Sequence, residues 1–204
     1  MVEKFHDLGT VILVQLQPSG LIIDTPTGYF YDHSRLVEVD NLLITPRGIE
    51  ATTPAGEHVL DIHHLDHPDK EYDDDDLVCI GFTSHYKAMR TRFGDHMVDG
   101  IAGENIIIDF EKEVWVDDMG TQIAIENSES GQLTHLDLQM FAAPCDEFSH
   151  FTARSQDERL PAAELKDVLK FLNHGRRGFL LLLSKGQEDA VIRVGDKVFR
   201  VDPE

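Results

Sequence analysis

Residues 99–109 read DGIAGENIIID. Three consecutive isoleucines, Ile106, Ile107 and Ile108, form the pattern of a short strand buried on both faces. The strand is entered through a turn that carries Gly100 and Gly103 and ends in Glu104 and Asn105. Glycine allows the positive-φ backbone and the close approach that such a turn requires. Glu104 can accept bonds from the amides of its own loop, and Asn105 can bond either its own backbone or a ligand. The residues leave both readings open: a brace for the turn, or one wall of a binding site.

Outward from this stretch the chain is mostly strand. GTVILVQLQ (residues 9–17), GLIIDTPTG (20–28) and RLVEVDNLLIT (35–45) precede it, followed by EHVLDIHH (57–64) and LVCIGF (77–82). TQIAIEN, QLTHLDLQM, GFLLLLSKG and AVIRVGDKVFRV follow it, with turns at ESGQ and at Gly195-Asp196. SHYKAMRTRFG predicts a helix capped by Ser84 and ended by Gly94. PAAELKDVLKFLNHG predicts a second, with Leu165, Val168, Leu169 and Leu172 at helical spacing, Pro161 in its first turn and Gly175 at its end. HPDKEYDDDD reads as a solvated acidic loop. About ten strands and two helices result, with no repeat and no linker. The expected fold is mainly β, a closed or nearly closed barrel with peripheral helices, in one domain over residues 1–204. Closure removes the exposed edges that so many short strands would create.

Composition narrows the function. With 18 Lys and Arg against 38 Asp and Glu the formal charge is −20. Such a chain repels nucleic acid and anionic membrane surfaces, so neither is an expected partner. Two cysteines are too few for a disulfide framework. No signal peptide or membrane span is evident, and the expected location is the cytoplasm.

Cys145 follows Pro144 in FAAPCDEFSHF, at the end of a strand and before polar residues. It is the candidate functional thiol, whereas Cys79, between Val78 and Ile80, reads as a buried small hydrophobe. Asp146 and Glu147 disfavour an unassisted thiolate, and a soft metal or a nearby cation would reverse that. The cluster DIHHLDHPD offers His63, His64 and His67 with Asp61, Asp66 and Asp69, although its spacing matches no closed zinc motif. Cations gather in HYKAMRTRFGDH, with Lys87, Arg90 and Arg92, and in NHGRRG, with Arg176 and Arg177. An acidic protein that binds an anion has to concentrate its arginines in this way, although pairing with surface carboxylates is the other reading.

In order, RTRFGDHMVDGIAGEN, the Pro-Cys pair, GRRGFLLLL and VIRVGDKVFRV resemble the MOSC domain, the C-terminal domain of molybdenum cofactor sulfurases, also found as stand-alone bacterial proteins. Gly103-Glu104-Asn105 is similar to the family's Gly-Glu-Asn turn, and Cys145 to its characteristic cysteine. The family's early Gly-Asp-x-His pattern is missing, with Gly48-Ile49-Glu50 in its place, and no basic residue shortly precedes the cysteine. The resemblance implies a β-barrel and a bound molybdenum–pterin cofactor. Cys145 would be the catalytic residue and metal ligand, with Arg90, Arg92, Arg176, Gly103, Glu104 and Asn105 binding the cofactor. The implied activity is reduction of N-hydroxylated compounds, with a small-molecule substrate and an electron-donor protein as partners. The alternatives are a carrier of persulfide or cofactor supplied by a separate sulfurase, and a non-catalytic barrel that binds a ligand or protein.

Overall fold

The computed structural model describes residues 3–26, 28–70 and 77–202. Its first strand, β1 (Lys4–Leu16), is long enough to serve two neighbours. Next come β2 (Ile22–Thr25), β3 (Gly28–Tyr31), β4 (Val37–Glu38), β5 (Asn41–Thr45), β6 (Gly48–Thr52) and β7 (His58–Leu60). The second half runs β8 (Val78–Phe82), α1 (Thr83–Phe93), β9 (Ile106–Asp109), α2 (Val116–Met119), β10 (Gln122–Glu126) and β11 (Leu133–Phe141). It ends with α3 (Asp146–Thr152), α4 (Ala162–Leu172), β12 (Phe179–Leu183), β13 (Ala190–Arg193) and β14 (Lys197–Asp202).

Seven strands close a barrel in the order β14-β10-β11-β12-β8-β9-β1, with β1 pairing back onto β14. All pairings in it are antiparallel except β8 with β9, which run parallel with Ile80 opposite Ile106. A parallel pair needs a crossover. Helix α1 and the glycine-rich turn provide it, so the DGIAGENIIID stretch is the return leg of a β–α–β unit inside an otherwise antiparallel barrel. A second sheet, β13-β5-β6-β7, packs against the barrel, and β2 and β3 form a separate hairpin.

The triple isoleucine does what its composition demands. Ile106, Ile107 and Ile108 are all fully buried. Ile106 and Ile108 join the cluster of Val11, Ile80, Phe82, Ile123, Phe179 and Val198. Ile107 faces the opposite cluster with Tyr86, Met89, Met97, Phe148 and Leu172, contributed by the helical layer. A strand coated on both faces has no polar side, hence the unbroken apolar run.

Both expected helices are present, with different caps. Phe82 precedes α1 without a side-chain cap, and Ser84 Oγ instead donates to Lys112 O at 2.9 Å. Gly94 ends that helix as expected. Helix α4 stops at Asn173, two residues before Gly175. The return strand β3 and strand β6, which contains Gly48-Ile49-Glu50, are additions to the expected strands. Residues 71–76, with the four aspartates of the acidic loop, lie outside the described residues.

Candidate functional site

One rim of the barrel collects five chain segments: the C-terminal ends of β1 and β11, the N-terminal ends of β8 and β12, and the turn into β9. The turn is braced from beneath. Glu104 is fully buried, and its Oε2 accepts from Tyr86 Oη at 2.6 Å. Tyr86 Oη in turn accepts from the Ala102 amide at 3.1 Å, so the carboxylate holds the loop through a phenol relay. Burial raises the Glu104 pKa, with Arg177 pulling in the opposite direction. The second oxygen, Oε1, is buried without a hydrogen-bond partner.

Asn105 acts as a splice between strands. Its backbone amide donates to Cys79 O at 2.8 Å, and its Oδ1 accepts from the Cys79 amide at 3.0 Å. Its Nδ2 donates to Asp61 Oδ2 at 2.9 Å. Gln15 closes the turn from β1, its Nε2 donating to Gly100 O and to Glu104 O, each at 2.7 Å. The Gly103 φ is +95°, and a Cβ there would stand 2.9 Å from Leu21 Cδ1 and 3.2 Å from Gln17 Oε1. Only glycine fits this corner.

Above the turn lies a cavity of about 670 Å³. Gly103, Gln17, Tyr31, His63, Cys79, Cys145 and Arg177 all line it. Cys145 stands where the chain leaves β11 and enters α3, in extended backbone (φ −98°, ψ 163°), with Sγ accepting from Phe148 N at 3.4 Å. Pro144 favours that extended approach, which places the thiol at a strand-to-helix corner instead of inside either element. Cys79 also reaches the cavity, which corrects the expectation of a purely structural thiol. Burial, then the field of Glu104, pushes its pKa well above the ordinary thiol range. Burial likewise raises Tyr31, whose Oη donates to Ile101 O at 2.8 Å.

Arg177, named in the NHGRRG cluster but not among the expected cofactor-binding residues, reaches the cavity. Its guanidinium sits 4.6 Å from the centroid of the Phe148 ring and lines the cavity. Burial works against its charge, and the neighbouring Glu104 carboxylate favours it. The expected arginines are placed elsewhere. Arg90 donates to Asp99 at 2.7 Å and to Met97 O at 3.0 Å. Arg92 pairs with Asp167 and lies over Phe171. Arg176 pairs with Glu113 at 2.9 Å and stacks on Trp115 and Phe171. None of the three lines the cavity. Each of the three is instead paired with a carboxylate, Asp99, Asp167 or Glu113.

The histidine cluster divides. His63 lines the cavity, with Nδ1 at 2.7 Å from Oδ1 of the fully buried Asp61. Asp61 Oδ2 accepts from Gln17 N at 2.8 Å as well as from Asn105, so the His63 wall and the Glu104-Asn105 turn form one network. His64 and His67 are used locally, their Nδ1 atoms bonding the amides of Asp66 and Asp69. Among the described residues no three side chains from His, Cys, Asp and Glu converge as a metal cage.

The MOSC domain model matches residues 67–199, a span that includes the crossover, the Gly103-Glu104-Asn105 turn, Cys145 and the late strands. The chain belongs to the MOSC domain family. Solved structures agree with the fold. The YuaD protein from Bacillus subtilis is 13% identical, with a TM-score of 0.53, covering 98% of this chain and 100% of its own. YiiM from Geobacillus stearothermophilus is 13% identical, with a TM-score of 0.51, covering 95% and 75%. A structure described as that of a hypothetical protein is 12% identical, with a TM-score of 0.52, covering 97% and 68%. No curated protein matches at a significant level. The rim offers two thiols and one half-buried guanidinium to the same space.

Proposed function

We propose that this MOSC protein holds a molybdenum–pterin cofactor in the rim cavity and reduces small N-hydroxylated compounds there. The observation that carries the reading is the Cys145 thiol opening into a cavity of about 670 Å³ that is also lined by a half-buried cation, Arg177. Such a volume suits a small-molecule ligand. A thiol is the soft donor that molybdenum favours, and a charged guanidinium suits an anionic cofactor. The residues therefore fit the group: Cys145 would ligate the metal, Gly103 and Tyr31 would border the organic part, and Arg177 is the uncommitted arginine available to it. The cofactor, when bound, supplies two-electron redox chemistry at a metal centre.

The protein's own residues have simpler tasks. The Glu104–Tyr86 relay and the Asn105 splice fix the floor. Phe148 N holds Cys145 Sγ in place. The Asp61–His63 pair presents a proton-carrying group on the wall. Reduction of an N–OH group to N–H consumes two electrons and two protons and releases the oxygen as water. The electrons come from a separate donor protein.

The test is turnover with a chemically reduced dye and an N-hydroxylated arene, using protein from a host that makes the cofactor. Wild type and Cys79→Ala turn over, and Cys145→Ala does not. Activity that survives in Cys145→Ala rejects the reading. A persulfide mass on Cys145 without any turnover would instead favour sulfur carriage.

A further inference from the structure

Arg177 is chemically out of place unless something meets it. Every other arginine of the chain holds a hydrogen bond or an ion pair. Arg177 has neither among the described residues, and its Nε is buried without a partner. The chain contains 38 acidic residues, so a carboxylate for it would have been easy to supply. A guanidinium carries five N–H donors, and none of those of Arg177 meets a protein acceptor among the described residues. Glu104 attracts it through space but makes no ion pair with it, and Glu104 Oε1 is unpartnered too. The open donors border the cavity that contains Cys145. Arg35 lines the same cavity but is already committed to Asp32 at 3.4 Å and to Gly20 O at 2.8 Å.

We infer that Arg177 anchors an anion subsite in the rim cavity and receives one oxyanion group, a carboxylate or a phosphate, of the ligand that lies beside Cys145. The planar fork of the guanidinium matches such a group with two parallel bonds. The Phe148 ring beneath it fixes the plane of the fork. This subsite stands whether or not molybdenum binds, so it goes beyond the reductase reading. The oxyanion has two sources, the cofactor's own phosphate or an acidic group on the substrate.

The test uses inorganic phosphate as the probe on metal-free protein, at constant ionic strength, with binding read from the thermal transition. Wild type and the exposed-surface control Arg47→Gln show the same saturable stabilisation. Arg177→Gln binds at least tenfold more weakly, and Arg177→Lys, which keeps the charge but loses the fork, falls between them. No saturable binding in wild type, or equal binding in wild type and Arg177→Gln, overturns the inference. Should Arg177→Gln not fold, Arg177→Lys decides: weaker binding supports the subsite and unchanged binding refutes it. Repeating the titration on cofactor-loaded protein assigns the source. Blocked phosphate binding assigns the subsite to the cofactor, and retained binding assigns it to the substrate. Because the first titration needs no metal, its failure is separate from a failure to retain molybdenum.

Discussion

His85 shows how far a single side chain in α1 can couple folding to pH. It is 1% exposed, and its Nε2 accepts from Val114 N at 3.2 Å, so the ring is neutral in the folded protein. Burial, aided by Arg176, lowers its pKa from 6.5 to about 4. The unfolded chain therefore takes up the proton first as pH falls. Stability from this group is intact above 6.5 and is lost progressively down to about 4. The loss is at most about 3 kcal/mol. His85→Gln, which can still accept from Val114 N, flattens the pH dependence of the denaturant midpoint across that window. An unchanged slope contradicts the assignment.

Asn105 is a second residue with a defined consequence. Removing its amide strands the Cys79 amide and part of the buried Asp61 carboxylate. Asn105→Ala loses about 2–3 kcal/mol, measured by denaturant unfolding. The sequence identified this residue and Glu104 as buttress or wall, and in the structure both of them brace the turn. It could not separate Arg176 from Arg177, because the two are the central residues of a turn, closed by Gly178 N donating to Gly175 O at 2.9 Å, and leave it in different directions. Arg176 turns out to Glu113 and Trp115, and Arg177 turns in to Phe148. Only the packing of the chain between Gly175 and Gly178 decides which is which.

Among the elements, β1 carries the closure. It pairs with β14 over its first half and with β9 further along, and its register shifts between Asp7 and Gly9. Gly9 has φ +106°, and a Cβ there would lie 2.1 Å from Asp109 O. This bulge lets one strand bend from one neighbour to the next. Gly9→Ala lowers stability by about 2–4 kcal/mol, read from the denaturant midpoint, because both the backbone angle and the contact are refused. A loss of only a few tenths would mean that the bulge is dispensable.

The long or unbroken apolar strands, β1, β8, β9 and β12, were legible because burial on both faces leaves a continuous hydrophobic run. Strands β3 and β6 were not. β3, GYFY, pairs only with β2, and β6 begins with Gly48 after a tight turn, so neither shows a period of its own. Their pairing is set by hairpin geometry, which a short polar turn barely announces. The thiol of Cys79 was misjudged for a related reason. A strand at a barrel rim ends inside the apolar run, so its first residues look like core while they face the cavity.

The molecule as a whole carries a formal charge of −20, with most of its arginines tied into pairs such as Arg90–Asp99, Arg200–Asp202 and Arg47–Asp66. Self-repulsion on this scale opposes the compact state, and salt screens it. Chloride salts raise the melting temperature from low to near-molar concentration, measured by differential scanning calorimetry. A falling melting temperature would mean that the surface pairs outweigh the net charge. The same excess of acid makes the uncommitted guanidinium at the rim informative, since most arginines of this chain pair with a carboxylate.

The cavity between Cys145, Cys79 and Arg177 is the proposed seat of the cofactor. The most direct measurement is the molybdenum and pterin content of protein freshly isolated from a cofactor-competent host. Loss of the Cys145 side chain as an N-cap costs about 1 kcal/mol, so Cys145→Ala still folds. Wild type and Cys79→Ala retain near-stoichiometric molybdenum with pterin, and Cys145→Ala retains neither. Equal molybdenum in wild type and folded Cys145→Ala, or none in any of the three, contradicts the account.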